Sequence, residues 1–186
     1  NLVDKLIDDG HEVVVIDNLS TGKKENINPK ALFYERDLTL QNDWLMYRGV
    51  DVVFHMACLA RVQPSIENPQ LYHDKNVNGL VNVLEACRKH NVKRIVFSSS
   101  SSIYGDAEQV PTTENCRLNP MSPYALHKLI GEQYCKLYSE LYGIDSVSLR
   151  YFNVYGNRQP TEGAYCLVMG VFAGQMLKGA PMTIRG

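Results

Sequence analysis

The chain has 186 residues, 45% of them hydrophobic and 21% charged, with a formal net charge of −1. Such proportions belong to an ordinary soluble globular protein with room for one substantial core. A near-neutral balance provides neither the broad basic field expected of a nucleic-acid binder nor a polybasic tract for a membrane, and no apolar run is long enough to span a bilayer.

Apolar strands alternate with helical patterns along the chain, which predicts an α/β fold built on a parallel sheet with crossover helices. Leu2, Val3, Leu6 and Ile7 mark a helix stopped by Gly10. A strand follows from His11 to Ile16 and ends at Asp17, then a short one at Leu32-Phe33-Tyr34 ends near Asp37. Thr39 to Arg48 reads as a helix with Thr39 as its N-cap. Val50 to His55 is almost wholly apolar, as a strand covered on both faces should be. Asn76 stands where a helix begins, and Val77, Leu80, Val81, Leu84 and Cys87 continue it at helical spacing. Arg94 to Phe97 is the next strand, closed by a serine run from Ser98 to Ser102.

Leu126, Leu129, Ile130, Tyr134, Leu137 and Leu141 mark a long amphipathic helix ended by Gly143, and Ile144 to Arg150 reads as a strand. Beyond Asn153 the pattern loosens into a loop with Gly156, Pro160 and Gly163, followed by a helix from Tyr165 to about Leu177. Ile184-Arg185-Gly186 reads as a strand entering a turn. The expected division is 1–153 for a nucleotide-binding lobe and 154–186 for the beginning of a smaller one. The five cysteines are odd in number and match no CxxC or zinc spacing, so free thiols in a reducing, cytoplasmic setting are expected. The five histidines show no metal-ligand pattern, and no metal site is expected.

The most informative pair is Tyr124 and Lys128, at the start of the long helix. Residues four apart share a helix face, so a phenol and an ammonium project together. A neighbouring ammonium favours the phenolate and should lower the tyrosine pKa. A hydroxyl from the serine run could complete a proton-transfer set suited to a sugar or alcohol hydroxyl. Asp17, at the tip of its strand, suits both hydroxyls of an adenosine ribose and disfavours a 2′-phosphate, which argues for NAD over NADP. It could equally open a turn with Asn18. Asp37 could meet an adenine or merely cap a turn. The small residues of Met56-Ala57-Cys58-Leu59-Ala60 would let a loop approach a flat cofactor closely.

At Asp17-Asn18-Leu19-Ser20-Thr21-Gly22, Asn76-Val77-Asn78-Gly79, Ser98-Ser99-Ser100, Ile103-Tyr104-Gly105-Asp106, Ser122-Pro123-Tyr124 with Lys128, and Leu149 to Gly156, the chain resembles the extended short-chain dehydrogenase/reductase superfamily. More narrowly it looks like the nucleotide-sugar 4-epimerases of the UDP-glucose and UDP-N-acetylglucosamine type. The resemblance implies a Rossmann-like doubly wound sheet lacking its first strand and glycine-rich turn, with truncation at both ends. It implies roles as well. Tyr124 is the base, Lys128 tunes it and holds the nicotinamide ribose, and Ser100, with Ser101 as a neighbouring alternative, bonds the reacting hydroxyl. Asp17, Asn18, Ser20, Thr21 and Gly22 meet the adenosine ribose, while Asp37 and Leu38 meet the adenine. Met56, Ala57, Ala60 and Asn76 line the dinucleotide, and Phe152 approaches the nicotinamide. Asn153 and Tyr165 contact the substrate. Cys58 departs from the glycine or alanine usual in the family.

The implied reaction is NAD-dependent inversion of C4 of a UDP-sugar, glucose/galactose or N-acetylglucosamine/N-acetylgalactosamine, through a transient 4-keto sugar. The implied assembly is a homodimer through the helix carrying Tyr124. The alternatives are a sugar-acid 4-epimerase, a decarboxylase, a 4,6-dehydratase or a non-catalytic NAD-binding sensor. The dehydratase ranks low, because no Asp or Glu follows Ser100 in the serine run.

Overall fold

The computed structural model describes residues 1–40, 44–107, 109–159, 161 and 166–182. The chain forms two compact units, Asn1–Arg150 and Tyr151–Gly186.

The first unit begins with helix α1 (Leu2–Asp8), and Gly10 at φ +87° turns the chain back out of it. Strands β1 (Val14–Asp17) and β2 (Leu32–Glu35) pair in parallel, with Val14 opposite Leu32 and Asp17 opposite Glu35. A second sheet has the order β3-β4-β5, from β3 (Val52–His55), β4 (Arg94–Ser100) and β5 (Asp145–Tyr151). β3 and β4 run parallel with Phe54 opposite Val96. The α/β architecture with parallel strands anticipated from the alternating pattern is present, and it is Rossmann-like, as the resemblance implied.

β4 is the central strand of its sheet, and after exposed Arg94 it is apolar or small from Ile95 to Ser100, where both its faces are covered. Against it lies helix α4 (Gly79–Lys89), whose Leu80, Val83, Leu84 and Cys87 fall on one face and are all buried. Burying each such side chain stabilises the fold by about 1.5–3 kcal/mol. Helix α5 (Pro123–Tyr142) covers the same strand, contributing Cys135 and Tyr138 to this core. Its start is set by the Ser122 hydroxyl, which accepts from the Ala125 N–H at 3.1 Å, with Pro123 at the first helical position. Gly143, at φ +71°, ends it.

Several boundaries differ from the sequence reading. No helix runs from Thr39 to Arg48 among the described residues; Gln41 to Asp43 lie outside them. The Asp37 carboxylate accepts from both the Thr39 N–H and hydroxyl, closing a side-chain turn in place of a helix start. Trp44 and Tyr47 then flank a single 3-10 turn and pack edge-on, 6.0 Å apart, into the core. Residues 62–73 form two short helices that periodicity did not reveal, α2 (Val62–Glu67) and α3 (Pro69–His73). Asn76 does not start a helix. It lies inside a continuous helical run from Pro69 to Lys89, in a π-helical turn over Asp74–Asn78. The serine run is strand as far as Ser100, and Ser101–Tyr104 is a 3-10 turn.

In the second unit, helix α6 spans Val168–Leu177 and is closed by Gly179 at φ +64°. It begins later than Tyr165, which lies outside the described residues, as does the strand expected at Ile184 to Gly186. A β-carbon on Gly174 would stand 3.0 Å from Thr161 Cβ, so α6 packs closely on Thr161.

Candidate active site

Ser100 is the last residue of β4, and its hydroxyl accepts from the Ser102 N–H at 3.2 Å and the Ser102 hydroxyl at 2.9 Å. With both lone pairs used, its own O–H is left to donate, and Ser100 lies close enough to half-buried Tyr124 to pull the phenol's pKa down. One helical turn on, the buried Lys128 ammonium lies 5.8 Å from the Tyr124 ring centroid and 5.1 Å from that of Phe97. It donates to the Ser98 carbonyl at 2.6 Å. The structure therefore brings Tyr124, Ser100 and Lys128 together, and the phenol's serine partner is Ser100.

The charge balance at the phenol differs from expectation. Burial raises the Tyr124 pKa, Cys58 and Tyr72 add to the rise, and only the Ser100 hydroxyl pulls it down. The lowering expected from Lys128 is not among the influences on the phenol: its ammonium, 5.8 Å from the ring, is turned to the Ser98 carbonyl, and burial of the phenolate dominates. Beneath this set, His55 stacks on Phe97 with rings 5.9 Å apart and 17° from parallel. Burial, reinforced by the Lys128 charge, pushes the His55 imidazole down to about 3, so it is neutral across the physiological range.

In the other sheet, Asp17 closes β1. One carboxylate oxygen accepts from the Leu19 N–H at 2.6 Å, and Leu19 takes φ +55°. The other oxygen has no protein partner among the described residues, which fits a ribose diol at a strand's carboxyl end. The turn wraps closely, for a β-carbon on Gly22 would stand 3.6 Å from this carboxylate. Ser20, Thr21 and Gly22 are exposed beside it. Asn18 accepts from the Ser20 N–H and donates to Asp37 at 3.2 Å, linking the tips of β1 and β2. Asp37 also receives Lys75 at 2.8 Å. Burial alone would raise its carboxyl, but Lys75, Thr39 and Asn18 together hold it well below the usual carboxylate range. Leu38 presents its carbonyl to Asn82 at 2.8 Å.

The loop from Met56 to Ala60 follows β3, with Met56, Ala57 and Ala60 exposed and Cys58 half-buried. Buried Asn76 clasps it at both ends of its amide: Oδ1 accepts from Leu59 N–H at 2.7 Å, and Nδ2 donates to Leu59 O at 3.0 Å. The Asn76 side chain thus shapes this loop. Phe152 and Asn153 belong to the second unit and are exposed. Tyr165 lies outside the described residues.

Two supports went unread in the sequence. Arg150 forms a forked pair with Glu132 (2.8 Å at the shortest), and also donates to the Tyr104 hydroxyl and the Glu114 carbonyl at 2.9 Å each. Ser99 donates to the same Glu132. Glu132, two turns after Tyr124 on α5, was the available signal. The second is Ser65, whose hydroxyl accepts from the Tyr124 N–H at 3.1 Å; no spacing rule links residues so far apart.

Residues 1–186 match the model of the "NAD dependent epimerase/dehydratase family". A curated protein of Methanocaldococcus jannaschii, named "Putative UDP-glucose 4-epimerase", is 44% identical over 189 residues, covering 100% of this chain and 62% of that protein. The structure of a UDP-N-acetylglucosamine 4-epimerase from Methanobrevibacter ruminantium M1, in complex with UDP-N-acetylmuramic acid, superposes with a TM-score of 0.93 at 39% identity. It is covered over 61% of its length by 100% of this chain. A UDP-glucose 4-epimerase of Thermus thermophilus, in complex with NAD, gives a TM-score of 0.87 at 39% identity, with 97% of this chain and 59% of that one covered. The chain thus spans about three-fifths of the length of these relatives.

Proposed function

Because this chain belongs to the NAD-dependent epimerase/dehydratase family, we propose that it serves a C4 epimerase of a UDP-sugar, glucose/galactose or its N-acetylamino counterpart. One observation carries the reading: Ser100, at the end of β4, lies close enough to Tyr124 to act on its phenol, with the Lys128 ammonium one helical turn behind, 5.8 Å from the ring. A hydroxyl to be oxidised must lose its proton to a positioned base, and Tyr124 is the base within reach of such a site. Ser100, its lone pairs filled by Ser102, donates to the phenol or to the sugar oxygen and keeps the two in line. Lys128 is fixed by the Ser98 carbonyl and the Phe97 ring. It supplies a positive charge that favours the phenolate once the pocket is filled and water excluded.

Asp17 would hold the adenosine ribose. Asn18, Ser20, Thr21, Gly22, Asp37 and Leu38 would frame the adenine end, and the loop Met56, Ala57 and Ala60, shaped by Asn76, would cover the dinucleotide. Phe152 would stand by the nicotinamide, and Asn153 and Tyr165 by the substrate, with a lobe boundary near 153. NAD held there would supply a reversible acceptor for the hydride of the sugar carbon. The exposed face of α5, with Leu126 and Leu137 on it, is the surface we assign to pairing with a second copy.

The test is Tyr124→Phe in the intact protein. Turnover of UDP-sugars should fall about a hundred- to ten-thousand-fold, the usual worth of general acid–base assistance, with an unchanged circular dichroism spectrum. Turnover near that of the wild type would overturn the assignment.

A further inference from the structure

The N–H groups in the first turn of a helix have no partners within it. At α5, Pro123 has none to offer, while Ala125 and Leu126 donate to the hydroxyl and carbonyl of Ser122. The Tyr124 N–H is the exception. It leaves its own helix and donates to the hydroxyl of Ser65, 59 positions earlier in the chain.

Ser65 is fully buried, and its hydroxyl donates to the Val62 carbonyl at 2.5 Å. Bonding of that kind is a common local habit of serine in a helix. It also fixes the hydroxyl's direction, turning its lone pairs to Tyr124. Ser65 sits in α2, which directly continues the loop that Asn76 clasps at Leu59. The segment from 59 to 65 is therefore pinned at one end by Asn76 and at the other to the backbone of Tyr124. A tyrosine ring has two side-chain torsions, so where its oxygen lies relative to Ser100 follows from where its backbone is held.

We infer that Ser65 is a positioning residue for Tyr124, joining the Met56–Ala60 loop to the start of α5 and holding the phenol in register with Ser100. The inference rests on the epimerase reading for its kinetic consequence, but not for its structural one. In the intact protein, Ser65→Ala should slow turnover about tenfold, a loss typical of a misplaced reacting group, with KM for the UDP-sugar unchanged. Amide exchange at Tyr124 should quicken about tenfold while Ala125 stays protected, since only the Tyr124 donor loses its acceptor. Ser65→Cys keeps the side chain's shape, slightly enlarged, with a weaker acceptor and should fall between. Tyr138→Phe, farther along α5, which removes a hydrogen bond to Glu85 of α4, is the comparison for simple loss of stability.

Wild-type turnover and Tyr124 exchange in Ser65→Ala or Ser65→Cys would overturn the inference, as would an equal turnover loss in Tyr138→Phe. If Tyr124→Phe keeps its turnover, the epimerase reading fails on its own account. The exchange measurement then decides alone: faster exchange at Tyr124 upholds the tether, and unchanged exchange refutes it.

Discussion

A β-carbon on Gly131 would run into the Phe97 ring. Helix α5 therefore rests on strand β4 at a distance only glycine permits, and the same ring carries the Lys128 ammonium on its face and His55 stacked against it. Gly131→Ala should cost about 1–3 kcal/mol, as overpacking does, because Phe97 is hemmed in and cannot swing aside. Thermal denaturation measures the loss. An unchanged melting temperature would mean that α5 and β4 do not approach so closely.

His55 makes stability depend on acid. Its folded pKa, about 3, lies below the ordinary 6.5, so the unfolded chain binds the proton more readily. Its contribution is complete above pH 6.5 and is lost as pH falls toward 3. His55→Phe keeps an aromatic ring against Phe97 and should flatten the decline of urea midpoints across that window. Parallel declines in the two proteins would refute the assignment.

Arg150 and Glu132 join β5 to α5, and the burial of much of each side chain makes either costly to strand. Arg150→Met and Glu132→Gln should each destabilise by about 1–3 kcal/mol, since each leaves a partner unpaired. The double variant should lose clearly less than the sum. Strict additivity in chemical denaturation would show that the pair is not coupled.

Asp17 offers one carboxylate oxygen with no protein partner among the described residues. In the intact protein, Asp17→Ala should weaken NAD binding about tenfold or more, the worth of a charged hydrogen bond, with little effect on UDP-sugar affinity. Calorimetric titration with each ligand separates the two, and equal NAD affinity would remove Asp17 from the ribose site.

Much of the fold is legible because it is periodic. Leu80, Val83, Leu84 and Cys87 announce a buried helix face, and the run from Val52 to Phe54 announces a strand, though not the doubly covered one expected, since Val52 and Phe54 are both exposed. Residues 39–48 misled, because apolar spacing there outweighed the turn made by Asp37 and Thr39, a side-chain bond that a helical template does not register. Residues 62–73 passed unread because two short helices lack the length for a repeat to show, although Asn68-Pro69 marks the start of the second.

Spacing along one element was enough to pair Tyr124 with Lys128 and to nominate a serine near the end of β4, because helix and strand geometry convert sequence separation into direction. Which serine meets the phenol, the net rise in its pKa, and the use of Asn76 and Ser65 as clasps were decided only by folding. Those depend on hydrogen bonds and burial shared between segments 17 to 59 residues apart, and no local pattern encodes which distant donor a buried acceptor will meet.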